Sequence, residues 1–407
     1  MNHNKRLPLD GIKVVELATV VAAPTTSRML AAYGAEVIKV ETINGDPMRR
    51  AGVTEVAPYE DYKNPLFTVN NSNKRLISIN IKSEEGKVAL FKLIENADVF
   101  ITNVREESLG RLGLDYETLK ETCPELIYAH FSGYGNDGPV AKNPGFDSTA
   151  FWLRSGPLAD WQVKGYFPFV PTYAFGDMST SSVLLSGILM ALMGREKSGE
   201  GTKVECSLFG SGIWCNAIGV ISTQFERQHL NPDPLRPRNP FATLYECADE
   251  KWIGFYINEY LSEKEKFANI LGMRDILDDP RYDSIDSLAE SGAIVEAVER
   301  VQKIFKTKTS SEWRKYLSAN SVSCEVMQST HDVSRDEQAI ANHYVEEVEF
   351  ADNLKVMMPC PPVFFSNYGR RQYEPTGRIG EDTQEVFSML GYTEEEIGKL
   401  REAGTIL

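Results

Sequence analysis

The feature that most constrains this chain is an alternation over its first 140 or so residues, in which short β-branched runs are separated by segments of helical spacing. Ile12–Leu17 (IKVVEL) is rich in valine and isoleucine, as a strand buried on both faces must be. Thr25–Tyr33 (TTSRMLAAY) then spaces its apolar residues as a helix and stops at Gly34, a natural residue just past a helix end. Glu36–Glu41 reads as a second strand and Leu76–Ile81 as a third. Lys87–Asn96 reads as an amphipathic helix, and Val99–Thr102 and Leu126–Phe131 as two further strands. Strands alternating with helices predict an α/β fold. Right-handed crossovers then give a doubly wound, Rossmann-like parallel sheet.

Beyond the sheet, a long helix is expected over Ser179–Arg195, then a polar turn at Lys197–Thr202 and a strand over Lys203–Cys206. A second long helix is expected over Leu208–Gln228, followed by the proline-rich Asn231–Pro240. The predicted division is a large α/β domain over 1–205, a linking helix and loop over 206–240, a small α+β domain over 241–330, and a segment 331–407 that returns to the large domain. In that last segment, Tyr344–Pro361 is strand- and loop-like and Thr393–Ala403 is a charged helix.

Charge narrows the partners. Lys and Arg number 43 against 58 Asp and Glu, a net charge of −15 over 407 residues, which argues against a broad nucleic-acid or anionic-membrane surface. The N-terminal residues lead into the first strand with no apolar signal core, and the longest apolar stretch, Val183–Met193, is too short to span a bilayer. The six cysteines form no CxxC pair and the histidines no i, i+4 pair, so neither a disulfide frame nor a metal site is expected. These features together predict a cytoplasmic, metal-free protein.

The turn after the first strand, Val21–Ala22–Ala23–Pro24, lacks the glycines of a dinucleotide site, and no P-loop, HExxH or GxSxG is present. One carboxylate stands out. Asp177 follows an aromatic-rich loop (Tyr173–Ala174–Phe175–Gly176) and precedes a long apolar helix. Spacing alone leaves two readings. Asp177 is a helix N-cap, the commoner use of an aspartate there, or it is a nucleophile kept ionised by the helix N-terminus and desolvated by apolar walls.

At this point the chain resembles the family III CoA-transferases. The resemblance runs from Leu9–Asp10–Gly11–Ile12–Lys13–Val14–Val15–Glu16–Leu17 through Ala23–Pro24, Gly34–Ala35–Glu36–Val37–Ile38–Lys39–Val40–Glu41 and Gly45–Asp46–Pro47. It continues through Asn73–Lys74–Arg75, Gly133–Tyr134–Gly135, Pro144–Gly145–Phe146–Asp147 and Arg195–Glu196–Lys197–Ser198–Gly199–Glu200–Gly201, covering essentially the whole chain. It implies that Asp177 is the catalytic aspartate, carrying CoA through mixed anhydrides and an aspartyl-CoA thioester. No cofactor is then bound permanently; coenzyme A and acyl-CoA are substrates. The CoA-contacting positions it implies are Val20, Val21, Ala22, Ile79, Lys82, Asn103, Val104, Arg105, Arg111 and Asp147. It also implies an interlocked homodimer.

Three departures bear on the substrate. Val21 stands where formyl-CoA transferase has a glutamine, Thr42 where it has an arginine, and Arg236–Phe241 lacks its lid glycines. An apolar wall at Val21, with Phe146, Tyr173 and Phe175 as the candidate substrate-pocket residues, favours medium branched or aromatic 2-hydroxy or 2-enoyl acids, such as those of amino-acid fermentation. Two alternatives belong to other classes. An α-methylacyl-CoA racemase-type isomerase needs a histidine where Phe146 stands, and a non-catalytic CoA-binding protein has no use for Asp177.

Overall fold

The structure, a computed structural model, describes residues 5–169, 171, 174–225, 233–256 and 259–407. Within these the chain forms two compact units, one from 5–157, 171–225 and 337–407, the other from 158–169 and 233–336.

The first unit is built on six strands: β1 (Lys13–Leu17), β2 (Glu36–Glu41), β3 (Arg75–Ser78), β4 (Val99–Thr102), β5 (Ile127–Ser132) and β6 (Thr202–Ser207). Their order is β3-β2-β1-β4-β5-β6 and every pairing is parallel, with Val14 opposite both Val37 and Val99. Helices cover both faces: α1 (Ala22–Ala32), α2 (Glu84–Glu95), α3 (Glu106–Leu112), α4 (Phe175–Ser198), α5 (Leu208–Cys215) and α6 (Ala217–Ser222). Val14, Val99 and Ile127 pack with Leu30 of α1 and Leu184 and Ile188 of α4 on one face. Val15, Ile77 and Phe100 pack with Leu90 and Ile94 of α2 on the other. Adjacent strand residues such as Val14 and Val15 are both buried, which is why these strands read as unbroken apolar runs.

Inside this apolar sheet lies a buried ionic cluster. Glu16 of β1 pairs in register with Lys39 of β2, and Lys39 Nζ is 2.7 Å from Glu16 Oε1 and 2.9 Å from Asp46 Oδ2. Lys74 Nζ donates to Glu16 Oε2 at 2.7 Å, to the Pro24 carbonyl at 2.8 Å and to Asn71 Oδ1 at 2.8 Å. Burial would raise the Glu16 pKa, but the two ammonium groups and their hydrogen bonds hold it down at about 2. The Lys74 pKa is also lowered, to about 7, by burial and by Lys39 against the pull of Glu16.

Three elements differ from expectation. The third strand ends at Ser78, opposite the last residue of β2, Glu41, and the C-terminal segment covers its free edge: Leu76 N–H donates to Asp382 Oδ2, Ser78 N–H to Thr383 Oγ1, and Ile79 makes an isolated bridge to Ile406. The expected helix over Leu208–Gln228 breaks at Asn216 into α5 and α6, and residues 226–228 lie outside the described residues. The helix expected from Ser179 begins at Phe175, so Asp177 lies within its first turn. At 24 residues and mean hydropathy 1.3, α4 is long and apolar enough to cross a membrane, unlike the shorter stretch read from sequence. One side of it packs on α1, β5 and β6, where Leu184, Ile188 and Leu192 are buried.

The second unit holds a three-stranded antiparallel sheet, Leu244–Glu246, Trp252–Tyr256 and Ser323–Val326. Helices Tyr260–Ile270, Ala293–Phe305 and Ser310–Ala319 contribute to its core, where Tyr245, Phe255, Phe267 and Phe305 stack.

Candidate active site

In this strand order the chain leaves β3 at one edge and returns beside β1 as β4. The carboxyl ends of β1 and β4 therefore diverge and leave a crevice, the place where open parallel sheets bind ligands. A cavity of about 360 Å³ lies there. Its walls come from the β1–α1 turn (Thr19–Ala22), the turn after β4 (Asn103, Arg105–Glu107), the end of β5 with the loop beyond it (His130–Gly133, Asn136), the loop 141–147, and Asp177 with Leu208.

The β1–α1 turn is held by side chains at four of its backbone groups. Lys39 Nζ donates to the Ala18 carbonyl at 2.8 Å. The Asn103 amide accepts from Thr19 N–H at 3.1 Å and donates to the Thr19 carbonyl at 2.8 Å. Val20 N–H donates to Asp46 Oδ1 at 3.3 Å. Val20 has φ +72°, a left-handed conformation that a β-branched residue adopts only under constraint. Helix α1, which starts two residues later, has no side-chain cap; Pro24 has no N–H and Thr25 N–H bonds the Val21 carbonyl, so the N–H groups of Ala22 and Ala23 are those left without an intrahelical acceptor.

Two glycines bring in the other wall. A Cβ on Gly133 would lie 2.7 Å from the Gly145 Cα, and one on Gly145 would lie 2.8 Å from the Gly133 Cα. The backbones thus cross at a distance only glycine allows. The crossing sets a short π-helix, Asp147–Leu153, against the start of α4. There Asp147 Oδ2 accepts the Asp177 N–H at 2.9 Å. Gly176 fits between: a Cβ on it would lie 2.5 Å from Phe151 Cγ and 2.8 Å from Asp147 Oδ2.

Asp177 is neither the N-cap, which is Ala174, nor held ionised by the helix terminus. Burial, and then the Asp147 charge, push its carboxyl up to about 7. Desolvation outweighs the helix field here, because the negative Asp147 sits on the same first-turn amide that would otherwise attract an anion.

Of the residues singled out in the sequence, Val20, Val21, Ala22, Asn103, Arg105, Phe146, Asp147 and Asp177 line this cavity. Ile79, Lys82, Val104, Arg111 and Phe175 are not among the lining residues. Ile79 is buried in the core against α2, Val104 packs at that core's edge, and Lys82, Arg111 and Phe175 are exposed. Tyr173 lies outside the described residues. Asn103 uses its side chain on the Thr19 backbone, and Asp147 uses one oxygen on Asp177.

Sequence reasoning missed His130, Ser132, Asn136 and Lys142. His130 is 3% exposed, with Nε2 3.0 Å from the Val104 carbonyl, and burial holds its pKa below the usual imidazole value. A lone histidine in an apolar strand carries no signal that distinguishes it from core. Glu106, His130 and Glu205 gather ligand-type atoms within 4.8 Å of one another, but Lys203 Nζ already sits 2.6 Å from both carboxylates. An ammonium group therefore takes the position a metal cation would occupy.

Comparison with known proteins gives the family. CoA-transferase family III matches residues 9–383. The chain belongs to that family. It is 37% identical over 401 residues to (R)-2-hydroxy-4-methylpentanoate CoA-transferase of Clostridioides difficile, covering 98% of this chain and 99% of the relative. It is 34% identical to cinnamoyl-CoA:phenyllactate CoA-transferase of Clostridium sporogenes, covering 100% and 99%. The fold is shared with the crystal structure of Rv3272 from M. tuberculosis, with TM-score 0.80 and 23% identity over 94% of this chain and 100% of that one. It is shared also with a CAIB/BAIF family protein from Brucella suis, with TM-score 0.79 and 24% identity over 95% and 100%. This family III CoA-transferase is therefore an enzyme acting on CoA thioesters. The racemase and non-catalytic readings are not favoured.

A carboxylate nucleophile must be ionised to attack. If Asp177 is the attacking group, kcat/KM should rise with pH through an acid limb near pH 7 and level off above it. Asp147→Asn removes the repelling charge and should move that limb to lower pH. A limb unmoved by the substitution would show that Asp147 does not set the Asp177 pKa. Stability follows the opposite sign: because folding raises this pKa from 3.8, the contribution of Asp177 is full below about pH 4 and is lost as pH rises through 7.

Proposed function

We propose that this enzyme moves CoA between carboxylic acids by a covalent relay on Asp177, and that its substrates are medium branched or aromatic 2-hydroxy or 2-enoyl acids, such as those of amino-acid fermentation. The observation that carries the reading is the placement of a desolvated carboxylate in one cavity with Ala22, at the uncapped start of α1, and with apolar Val21, Phe131, Phe146 and Leu208.

Asp177 attacks the donor thioester carbonyl, forming a mixed anhydride as CoA thiolate leaves. The thiolate attacks the aspartyl carbonyl, releasing the donor acid and leaving an aspartyl-CoA thioester. The acceptor carboxylate attacks that thioester, forming a second anhydride and freeing the thiolate again. The thiolate then takes the acceptor's acyl carbonyl and restores Asp177. Backbone amides at the start of α1 offer hydrogen bonds to the developing oxyanions. The first unit thus carries both CoA binding and chemistry, with Arg105 and Lys142 as cationic side chains on the cavity wall. The relatives named for 2-hydroxy-4-methylpentanoate and phenyllactate support the substrate class. Phe146 bears no exchangeable proton and so supports transfer over racemisation.

The enzyme works, on this reading, as a cytoplasmic homodimer. Free cysteines suit a reducing compartment. Met190 and Met193 of α4, Trp214 of α5 and Ile218 of α6 are more than 60% exposed, an apolar surface that a second copy would cover. Sedimentation at micromolar concentration should give a single species of twice the 45.6 kDa chain mass; a monomer would contradict this.

The substrate class is tested by steady-state CoA transfer from cinnamoyl-CoA to a panel of acids. Phenyllactate and (R)-2-hydroxy-4-methylpentanoate should exceed formate, oxalate and succinate in kcat/KM by about tenfold or more, the discrimination an apolar pocket supplies. Oxalate or succinate performing as well would contradict it.

A further inference from the structure

Asp46 belongs to a Gly-Asp-Pro turn after β2 and does not line the cavity, yet it links the buried ionic cluster to the cavity wall. Its backbone N–H donates to Glu41 Oε2 at 2.9 Å, and Glu41 is held by Arg49 Nε and Nη2 at 2.8 and 2.7 Å. Its Oδ2 lies 2.9 Å from Lys39 Nζ, and its Oδ1 accepts from Met48 N–H at 2.9 Å and from Val20 N–H at 3.3 Å. The carboxylate is 3% exposed. It is therefore a fixed acceptor, and what it fixes is the one residue of the β1–α1 turn in the left-handed region.

We propose that Asp46 is a positioning residue of the transfer reaction: anchored by Lys39, it holds Val20 at positive φ and so aims the uncapped start of α1 at the cavity shared with Asp177. An unrestrained valine favours negative φ, where clashes of its branched Cβ are relieved. Without Asp46 the turn relaxes, and the first-turn amides of α1 leave the position they hold beside the reacting carbonyl. The nucleophile and the rest of the cavity stay in place, since they are set by the Gly133–Gly145 crossing and by Asp147. The cost falls on turnover rather than on substrate affinity.

The inference rests on the transferase reading for its kinetic test, in which Asp46→Ala, Asp46→Asn and the double variant Asp46→Ala with Val20→Gly are compared. Asp46→Ala should lower kcat by about 10- to 100-fold, the scale of a small displacement of catalytic groups, with KM for the acyl-CoA changed less than about threefold. Asp46→Asn keeps an acceptor oxygen but not the ion pair with Lys39, and should fall between. Adding Val20→Gly to Asp46→Ala should recover a large part of kcat, because glycine enters the left-handed region without penalty, while leaving the lowered Tm where it was. A merely structural Asp46 would lose kcat and Tm together, and Val20→Gly would rescue neither; that result overturns the proposal. Hydrogen exchange over residues 17–23 provides a readout independent of activity. If the wild type transfers CoA between no pair of acids, the transferase reading fails. The positioning claim then stands on faster exchange across that turn in Asp46→Ala and falls if exchange there is unchanged.

Discussion

Glu16 has no access to water, and neither do the two ammonium groups on either side of it. Most of the first unit depends on that arrangement. A buried carboxylate left with one partner instead of two is costly, about 3–5 kcal/mol for a broken buried pair, so the groups that compensate it are held tightly in place. Lys39 fixes the register of β2 on β1, and Lys74 ties the start of β3 to Pro24 in the first turn of α1. Through Lys39 the same cluster grips the Ala18 carbonyl and Asp46. Three strands and one helix start are thereby locked at one point, and the cavity is what remains where that point meets β4.

The parallel sheet is legible because its strands are buried on both faces, and continuous apolar runs such as Val14–Val15 and Val99–Ile101 meet that requirement. The buried cluster is not legible. Glu16 and Lys39 read as polar interruptions of a strand, and only the register of two strands far apart in sequence turns them into a pair. Strand length at β3 escapes for a related reason: Leu76–Ile81 carries an alternating pattern throughout, but β2 ends at Glu41 opposite Ser78, and Ile79 bridges instead to Ile406, some 300 residues on.

The site divides in the same way. Asp177 and the flanking turn residues can be found from local pattern and resemblance. Its protonation cannot, because the second charge comes from Asp147, brought close by the crossing of Gly133 and Gly145. Those glycines are visible as motif pieces without a reason; the reason is their mutual contact. Of the implied CoA positions, Val20, Val21, Ala22, Asn103, Arg105 and Asp147 converge on the cavity. Ile79 instead serves the core, since its strand position is taken up by the C-terminal Ile406.

Everything proposed for this enzyme turns on Asp177 being the covalent carrier. Intact-protein mass spectrometry after brief exposure to cinnamoyl-CoA, with Asp177→Ala run alongside, tests it most directly. The wild type should gain the mass of an acyl or CoA adduct that hydroxylamine removes, and the variant should gain none while keeping its fold. An adduct that persists on Asp177→Ala, or no adduct on a wild type that turns the same thioester over, would contradict it.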